Sequence, residues 1–351
     1  MNTVGFMNFL SSSDNPGRRG RPTHGGERHM KLELKNITKK YDLDTLGAED
    51  VSLTVEDGVF GIAGEPGSGK RTVLGIVGGL LNADSGELLF DGRDALSLSP
   101  RERDAFLSRG KKLPLGGSVE RNLTYGLRLR RVSGKEAKRR AEEAAEALGI
   151  SGLLRRSAAS LTPPERMKAE LARLLTRRAR IALFYDPYRD MTADERAEAR
   201  SLLLRVRETI GDCSAVIATP NGGDLAYAGG CCAVMRGGRI VRSGAAEDVA
   251  VDPRSAYVAK FVSERPVNIV TDGGRAFAVR ADDTRLEAGD FPVVGRGGGY
   301  TALLVKAGEP PFVVKGEAEG DRAGFAVLFR TELPDEGRAP SEIGENSENL
   351  M

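Results

Sequence analysis

Apolar and polar residues alternate through KLELKNITKKY, Lys31 to Tyr41, and again through VSLTV, Val51 to Val55. A period of two predicts strands with one buried face. VFGIAG, from Val59, is apolar without a break and runs into a glycine-rich turn, the pattern of a strand buried on both faces. The middle of the chain changes to helical spacing. Ser133 and Glu136 are placed as a capping box, and Ala137, Ala141, Ala144, Ala145 and Leu148 then form one apolar stripe ending at Gly149. Met167, Leu171, Leu174 and Leu175 form a second stripe. IALFY, from Ile181, predicts a buried strand. Thr192 and Glu195 cap a long helix that ends near Gly211, and SAVIAT is the next strand. CCAVMRGGRIVRSG predicts a hairpin about Gly237-Gly238, with Cys231 and Cys232 just ahead of its first strand. Strands alternating with helices predict a mostly parallel α/β sheet.

After about Glu264 the pattern shortens. RAFAVRA, TALLVKA, PFVVKG and GFAVLFR are brief strands parted by Gly, Asp and Pro, which predicts a small all-β domain. Met1 to His29 is rich in Ser, Gly, Arg and Pro without periodicity, and the stretch from Pro334 is acidic. Both are expected to be disordered tails. Met30 opens the first patterned segment, so the stretch before it need not be translated.

A length of 351 residues fits two domains, at about 100–200 residues per domain. Apolar residues at 40% and charged residues at 29% are the balance of a globular protein. A net charge of +2 gives no footprint for nucleic acid. Basic pairs such as Arg139-Arg140 and Arg177-Arg178 are expected on solvated helix faces. Cys213, Cys231 and Cys232 form no C-x-x-C pair and have no histidine near them, which argues against a zinc site or disulfide framework and for a reducing cytosol. Cys231 and Cys232 read as small apolar filling. No run approaches the roughly 18 apolar residues of a membrane span, and MNTVGFMNFL lacks the basic start and length of a signal peptide. The chain contains no glutamine, and its only histidines are His24 and His29.

The clearest chemistry lies in Gly64-Glu65-Pro66-Gly67-Ser68-Gly69-Lys70-Arg71-Thr72, which follows a predicted strand and opens a predicted helix. It fits G-x-x-x-x-G-K in the context that motif requires. Glycines let backbone N–H groups converge on phosphate oxygens, while the lysine adds charge and the helix its dipole. The next position should be a Ser or Thr whose hydroxyl ligates Mg²⁺. Here it is Arg71, which cannot ligate a metal. Thr72 lies one step further, about 100° around the helix.

With this loop in place, the chain from about Met30 to Val270 resembles the ATP-binding subunits of ATP-binding cassette (ABC) transporters, most closely the importer type serving sugars, polyamines, iron or molybdate. Tyr41 in KNITKKY stands where that family has an aromatic stacked on adenine. NADSGELLFDGRDA, SVERNLTYGLRLR and MRGGRIVRSGAAEDVAVDPRSAYVAKFV resemble successive family segments, and the terminal β region resembles the accessory domain of those importers. The resemblance implies an α/β cassette with an inserted helical subdomain, then a small all-β domain.

The family's catalytic positions are altered. The stretch matching its glutamine loop is LSRGKKLPLGG. The signature segment corresponds to Leu161-Thr162-Pro163-Pro164-Glu165, where prolines replace glycine donors, Glu165 would repel phosphate and Thr162 keeps one hydroxyl. The family strand that ends in Asp-Glu-Pro ends here in Tyr185-Asp186-Pro187. Aligned on the proline, Tyr185 replaces the metal-binding aspartate and Asp186 the catalytic glutamate; a slip of one residue makes Asp186 the metal residue instead. Asp186 is otherwise a cap after the strand. The switch histidine corresponds to Pro220, and the loop after the catalytic strand reads Tyr188-Arg189-Asp190-Met191-Thr192. The helix start PPERMK also has a purely structural reading, since proline suits a first helical turn.

These residues lead to the following expectations. Residues 1–29 are a tail, 30–263 the nucleotide-binding domain with its helical subdomain at about 94–176, 264–333 the β accessory domain and 334–351 an acidic tail. The nucleotide is ATP, without Mg²⁺ if Arg71 supplies the charge, held by Tyr41, Gly64, Gly67, Ser68, Gly69, Lys70, Arg71 and Thr72. Hydrolysis is expected to be lost. The partners are membrane permease subunits and a second cassette, as homodimer or heterodimer, with no nucleic acid. The location is cytoplasmic, on the inner face of the membrane. A working transport ATPase with unconventional residues, or a soluble pseudo-ATPase regulating another complex, are the alternatives.

Overall fold

The computed structural model describes residues 30–333, apart from 43–44, 57, 109–112, 114–115, 211–212, 228–229, 264–266, 273–274, 282–283, 298–299, 304–311, 316–317, 320–321 and 328–330. The two expected tails and most of RGKKLPL in the glutamine-loop stretch lie outside the described residues. The chain forms two compact units, Met1–Pro220 with Tyr227–Val241, and Asn221–Ala226 with Arg242–Met351.

The first unit opens with β1 (Leu32–Lys40), β2 (Leu46–Val55), β3 (Val59–Ala63), helix α1 (Lys70–Val77), β4 (Ser85–Phe90), β5 (Arg93–Asp94) and β6 (Ala105–Ser108). Helices α2 (Val119–Leu129), α3 (Gly134–Ala147) and α4 (Pro163–Arg177) follow. Then come β7 (Ile181–Tyr185), α5 (Ala193–Ile210), β8 (Ser214–Thr219), β9 (Cys231–Arg236) and β10 (Arg239–Ala245). One sheet runs β10-β9-β3-β8-β7-β6, and a second runs β2-β1-β4-β5. The β9-β3-β8-β7-β6 neighbours are all parallel.

The strand pattern decides which core each residue joins. On β7, Ala182 and Phe184 face a core shared with α2, α3, α4 and α5, while Ile181 and Leu183 face a second core shared with α1 and β1. On β8, Ala215 and Ile217 take the first core, Val216 and Ala218 the second. A strand covered on both faces has no polar side to show, hence the unbroken apolar runs. The predicted stripes of α3 and α4 are all buried. β6 lies inside the span expected to be helical; AFLS pairs with β7 and extends the parallel sheet.

Three local expectations are corrected. Ser133 does cap α3 by accepting the Glu136 N–H, but the Glu136 carboxylate turns to Arg139 and Arg140. Those guanidiniums hold it down at about 2, since a charge-assisted bond outcompetes a single backbone N–H. Arg177 is not on a solvated face: burial lowers its guanidinium to about 10, with Arg130 adding like charge. Cys231 and Cys232 are the first residues of β9 itself; Cys232 and Cys213 are buried filling, but Cys231 is exposed at the end of the strand, where burial begins only with Cys232.

The second unit holds helices α6 (Ala246–Val251) and α7 (Ala256–Val262) and strands β11 (Val267–Asp272), β12 (Arg275–Arg280), β13 (Thr284–Gly297), β14 (Tyr300–Leu303), β15 (Phe312–Lys315), β16 (Arg322–Val327) and β17 (Thr331–Leu333). The strands form the sheets β11-β12-β17 and β15-β14-β13-β16. Val279, Leu303, Phe312, Val314 and Ala323 form its core. Ala256 and Ala259 of α7 pack with Ala278 and Leu333, so this helix shares a core with strands that follow it.

Candidate functional site

Because β3, β8 and β7 are parallel neighbours, the residues that follow them emerge along one sheet edge. That edge receives Gly64 after β3, Pro220 after β8 and Asp186 after β7. In open α/β sheets, ligands bind outside the carboxyl ends of the strands.

The Gly64–Gly69 loop is tightly built. The Ser68 N–H donates to the Glu65 carbonyl at 3.1 Å, and the Gly238 N–H donates to the Ser68 carbonyl at 3.2 Å. A side chain at Gly64 would strike the Met235 carbonyl and Ser68, so this position requires glycine. Gly67 has φ +86° and Gly69 φ +100°. Gly67 is exposed, and a Cβ on it would meet nothing within 4 Å, so the crest of the loop is open to solvent. Gly69 is the N-cap of α1 and contributes no side-chain cap; its carbonyl accepts the Thr72 N–H at 2.9 Å, and an anion at the helix start would face the N–H groups ahead of Thr72. Backbone and space together fit a phosphate group.

Lys70 is buried at 3% exposure. Its ammonium donates to the Gly64 carbonyl at 2.5 Å, the Glu65 carbonyl at 2.9 Å and Ser68 Oγ at 3.0 Å. Burial pulls its pKa down to about 8, against the charges of Asp186 and Glu65, which raise it. Arg71 is exposed. Thr72 is buried, and its hydroxyl shares a 3.0 Å hydrogen bond with the Tyr41 phenol. That bond holds Tyr41 over the start of α1, with one edge of its ring against Gly47 and half its surface exposed.

Asp186 sits at φ +50°, its N–H donating to the Ala218 carbonyl at 2.6 Å. Its largely buried carboxylate is ion-paired with Arg189. Tyr185 is the last residue of β7, in register with Ala218, and Pro220 is exposed. The side chains at the positions where the resemblance would put metal support do not fit Mg²⁺: Arg71 is a cation, Thr72 is turned to Tyr41 and Asp186 is taken by Arg189. Among the described residues, no group of three or more His, Cys, Asp or Glu could hold a metal ion.

The segment Leu161–Glu165 is put to structural use. Thr162 is the N-cap of α4; its hydroxyl accepts the Glu165 N–H at 3.4 Å, and the Glu165 carboxylate accepts the Thr162 N–H at 2.9 Å. Pro163 and Pro164 fill the first turn, and Leu161 sinks into the helical core. Arg156 pairs with Glu165 at 2.9 Å. The Thr162 N–H, with help from Arg156, keeps the Glu165 carboxyl below its usual value.

The pairing of Arg189 and the residue Arg103 escaped the sequence reading. Arg189 lies three residues after Asp186, a turn spacing that could have flagged the pair. Arg103, at 2% exposure, donates to the carbonyls of Ile76 and Val77 at the end of α1 and to those of Leu96 and Leu98. No pattern marks it, because its partners are all backbone.

A family model described as ABC transporter matches residues 48–189. The chain is 31% identical over 260 residues to a molybdate/tungstate import ATP-binding protein of Thermococcus kodakarensis, covering 74% of this chain and 77% of that one. It is 30% identical over 241 residues to an sn-glycerol-3-phosphate import ATP-binding protein of Rhizobium meliloti, covering 68% and 69%. Among solved structures, a nucleotide-free ATP-binding cassette from an ABC transporter superposes with a TM-score of 0.58 at 21% identity, covering 66% of this chain and 98% of that one. The likeness spans the phosphate loop, the helical segment and the strands that carry Asp186 and Pro220, and so the chain belongs to the ABC transporter family and contains its ATP-binding domain.

Proposed function

We propose that this protein is the nucleotide-binding subunit of an ABC importer that binds ATP but does not hydrolyse it at a useful rate. The observation that carries this reading is the contrast between the two halves of the site. The phosphate loop keeps its glycines, its lysine and an open crest, whereas Asp186 is held by Arg189 and the signature segment is consumed in a capping box. Hydrolysis needs a base aimed at water and donors aimed at developing charge. The relatives are named as import ATP-binding proteins, which supports a role beside membrane permease subunits, as a pair of cassettes on the inner face of the membrane. Among the described residues no helix is long and apolar enough to cross a membrane. Residues 30–263 would serve as the cassette and 264–333 as an accessory domain. Arg71 and Lys70 would meet the phosphates without Mg²⁺.

Phosphate release by the purified protein, beside a Lys70→Ala control, tests this. Turnover should be indistinguishable from the control, while calorimetry detects ATP binding. Robust turnover that the control abolishes would refute the reading and restore a working ATPase.

A further inference from the structure

The Arg189–Asp186 pair is held from several sides. The chain turns at Asp186 in the left-handed region, pinned by its N–H to Ala218 on β8. The Arg189 N–H returns to the Asp186 carbonyl at 3.4 Å, closing the turn that brings the two side chains together. The Arg189 carbonyl accepts from Arg166 on α4 at 3.4 Å. Tyr188, between them, is buried under the Arg200 guanidinium, 5.5 Å from its ring centroid. The guanidinium is therefore placed by the backbone and its packing. A half-buried arginine so placed is a fixed charge, and the carboxylate it meets is only 10% exposed.

A carboxylate supports a divalent ion by turning oxygens, and net negative charge, toward it. Arg189 takes an Asp186 oxygen and cancels that charge. The other two oxygens that could help are absent or engaged, since Arg71 brings a positive charge and the Thr72 hydroxyl is bonded to Tyr41. A divalent cation entering beside Lys70 would meet the charges of Lys70 and Arg71, while the Asp186 charge that could offset them is paired with Arg189.

We infer that Arg189 is the built-in counter-charge of Asp186 and keeps Mg²⁺ out of this site, so that the protein takes nucleoside polyphosphate as the metal-free anion. Arg189 is a specificity residue: it selects the ionic form of the ligand. The inference rests on the nucleotide-binding reading above, and it names a residue and a mechanism for metal indifference that Arg71 alone does not supply.

Calorimetric titration of the full chain with ATP, in Mg²⁺ and in EDTA, tests it. The wild-type affinity should agree between the two conditions within about twofold. Arg189→Ser should bind ATP at least about tenfold more tightly with Mg²⁺ than without, a difference of about 1.4 kcal/mol. Arg189→Lys should keep the metal indifference, and adding Asp186→Asn to Arg189→Ser should abolish the metal dependence gained. A tenfold Mg²⁺ dependence in the wild type overturns the inference and leaves the nucleotide-binding reading standing; this arm needs no variant to fold. A folded Arg189→Ser protein as indifferent to metal as the wild type also overturns it. No ATP binding by the wild type under either condition refutes the nucleotide reading itself, and the inference with it.

Discussion

Arg103 makes the sharpest test of how the phosphate-loop helix is supported. Its guanidinium is buried at 2% exposure and donates to four carbonyls, from Leu98 at 3.0 Å, Leu96 at 3.1 Å, Val77 at 3.4 Å and Ile76. Two of these belong to the last turn of α1, where the dipole favours a cation and the Ile76 carbonyl also accepts the Gly79 N–H. Burial lowers the Arg103 pKa, and the charge of Asp94 partly offsets this. Arg103→Met keeps the stem and removes every donor. If two of the four carbonyls stay dry, each costs about 1–3 kcal/mol, and the desolvation of the charge is recovered in part. The net loss should be about 3 kcal/mol. For a unit of this size, that lowers the midpoint of thermal unfolding by about 6–12 °C. Circular dichroism melts give the global number. Hydrogen exchange gives the local one: the amides of Gly78, Gly79 and Leu80, bonded to Leu74, Ile76 and Gly75, should lose protection first. A methionine variant that melts within about 2 °C of the wild type, with those amides unchanged, would show that the four contacts contribute no net support.

The Lys70 ammonium, at a pKa of about 8, should make nucleotide affinity pH-dependent. Its charge is present below that value and lost above it, so affinity should fall about tenfold between pH 7 and 9 beyond any change in a Lys70→Met control, which reports ionisation of the ligand. A profile parallel to the control would refute this. Stability should move the other way: the unfolded lysine, near 10.5, keeps its proton where the folded one loses it, so the Lys70 contribution improves between about pH 8 and 10.5. Thr162→Ala removes the cap of α4 and should cost about 1 kcal/mol in urea unfolding without changing ATP affinity in the isolated subunit. A large loss of affinity there would show that the segment contacts the nucleotide in cis.

The parallel core was legible because double-sided burial leaves an unbroken apolar run, as in IALFY and SAVIAT. The missed strands lack that signal. β6 is four residues at the sheet edge, AFLS, and nothing near it in sequence announces its partner β7. β13 carries Gly289, Asp290 and Pro292, which argue against a strand when read alone. The pairing with β16 jumps register between Glu287 and Phe291, so a bulge absorbs the breakers and the strand resumes beyond it. The packing of α7 was hidden for another reason. α7 is short and amphipathic, and sequence order assigned it to the elements before it, while its alanines pack on Ala278 and Leu333.

At the site, residue types were legible and pairings were not. Gly64, Gly69 and Lys70 stand out because a phosphate loop constrains the backbone, and backbone constraints leave glycines at fixed spacing. Asp186 could be named from its place after β7, but its state depends on a positive φ and a turn that bring Arg189 back onto it. Glu165 illustrates the same limit. As a bare sequence position it is a negative charge set against phosphate. In the fold that charge is spent on the Thr162 N–H and Arg156, so it acts first on the helix that bears it. The repulsion anticipated from the family resemblance is therefore weaker than a free carboxylate would give. A substitution such as Glu165→Gln, which keeps a side-chain acceptor for the Thr162 N–H, changes charge with little change in the cap. Changing the charge while keeping the cap separates electrostatics from helix stability, a separation that sequence position alone does not provide.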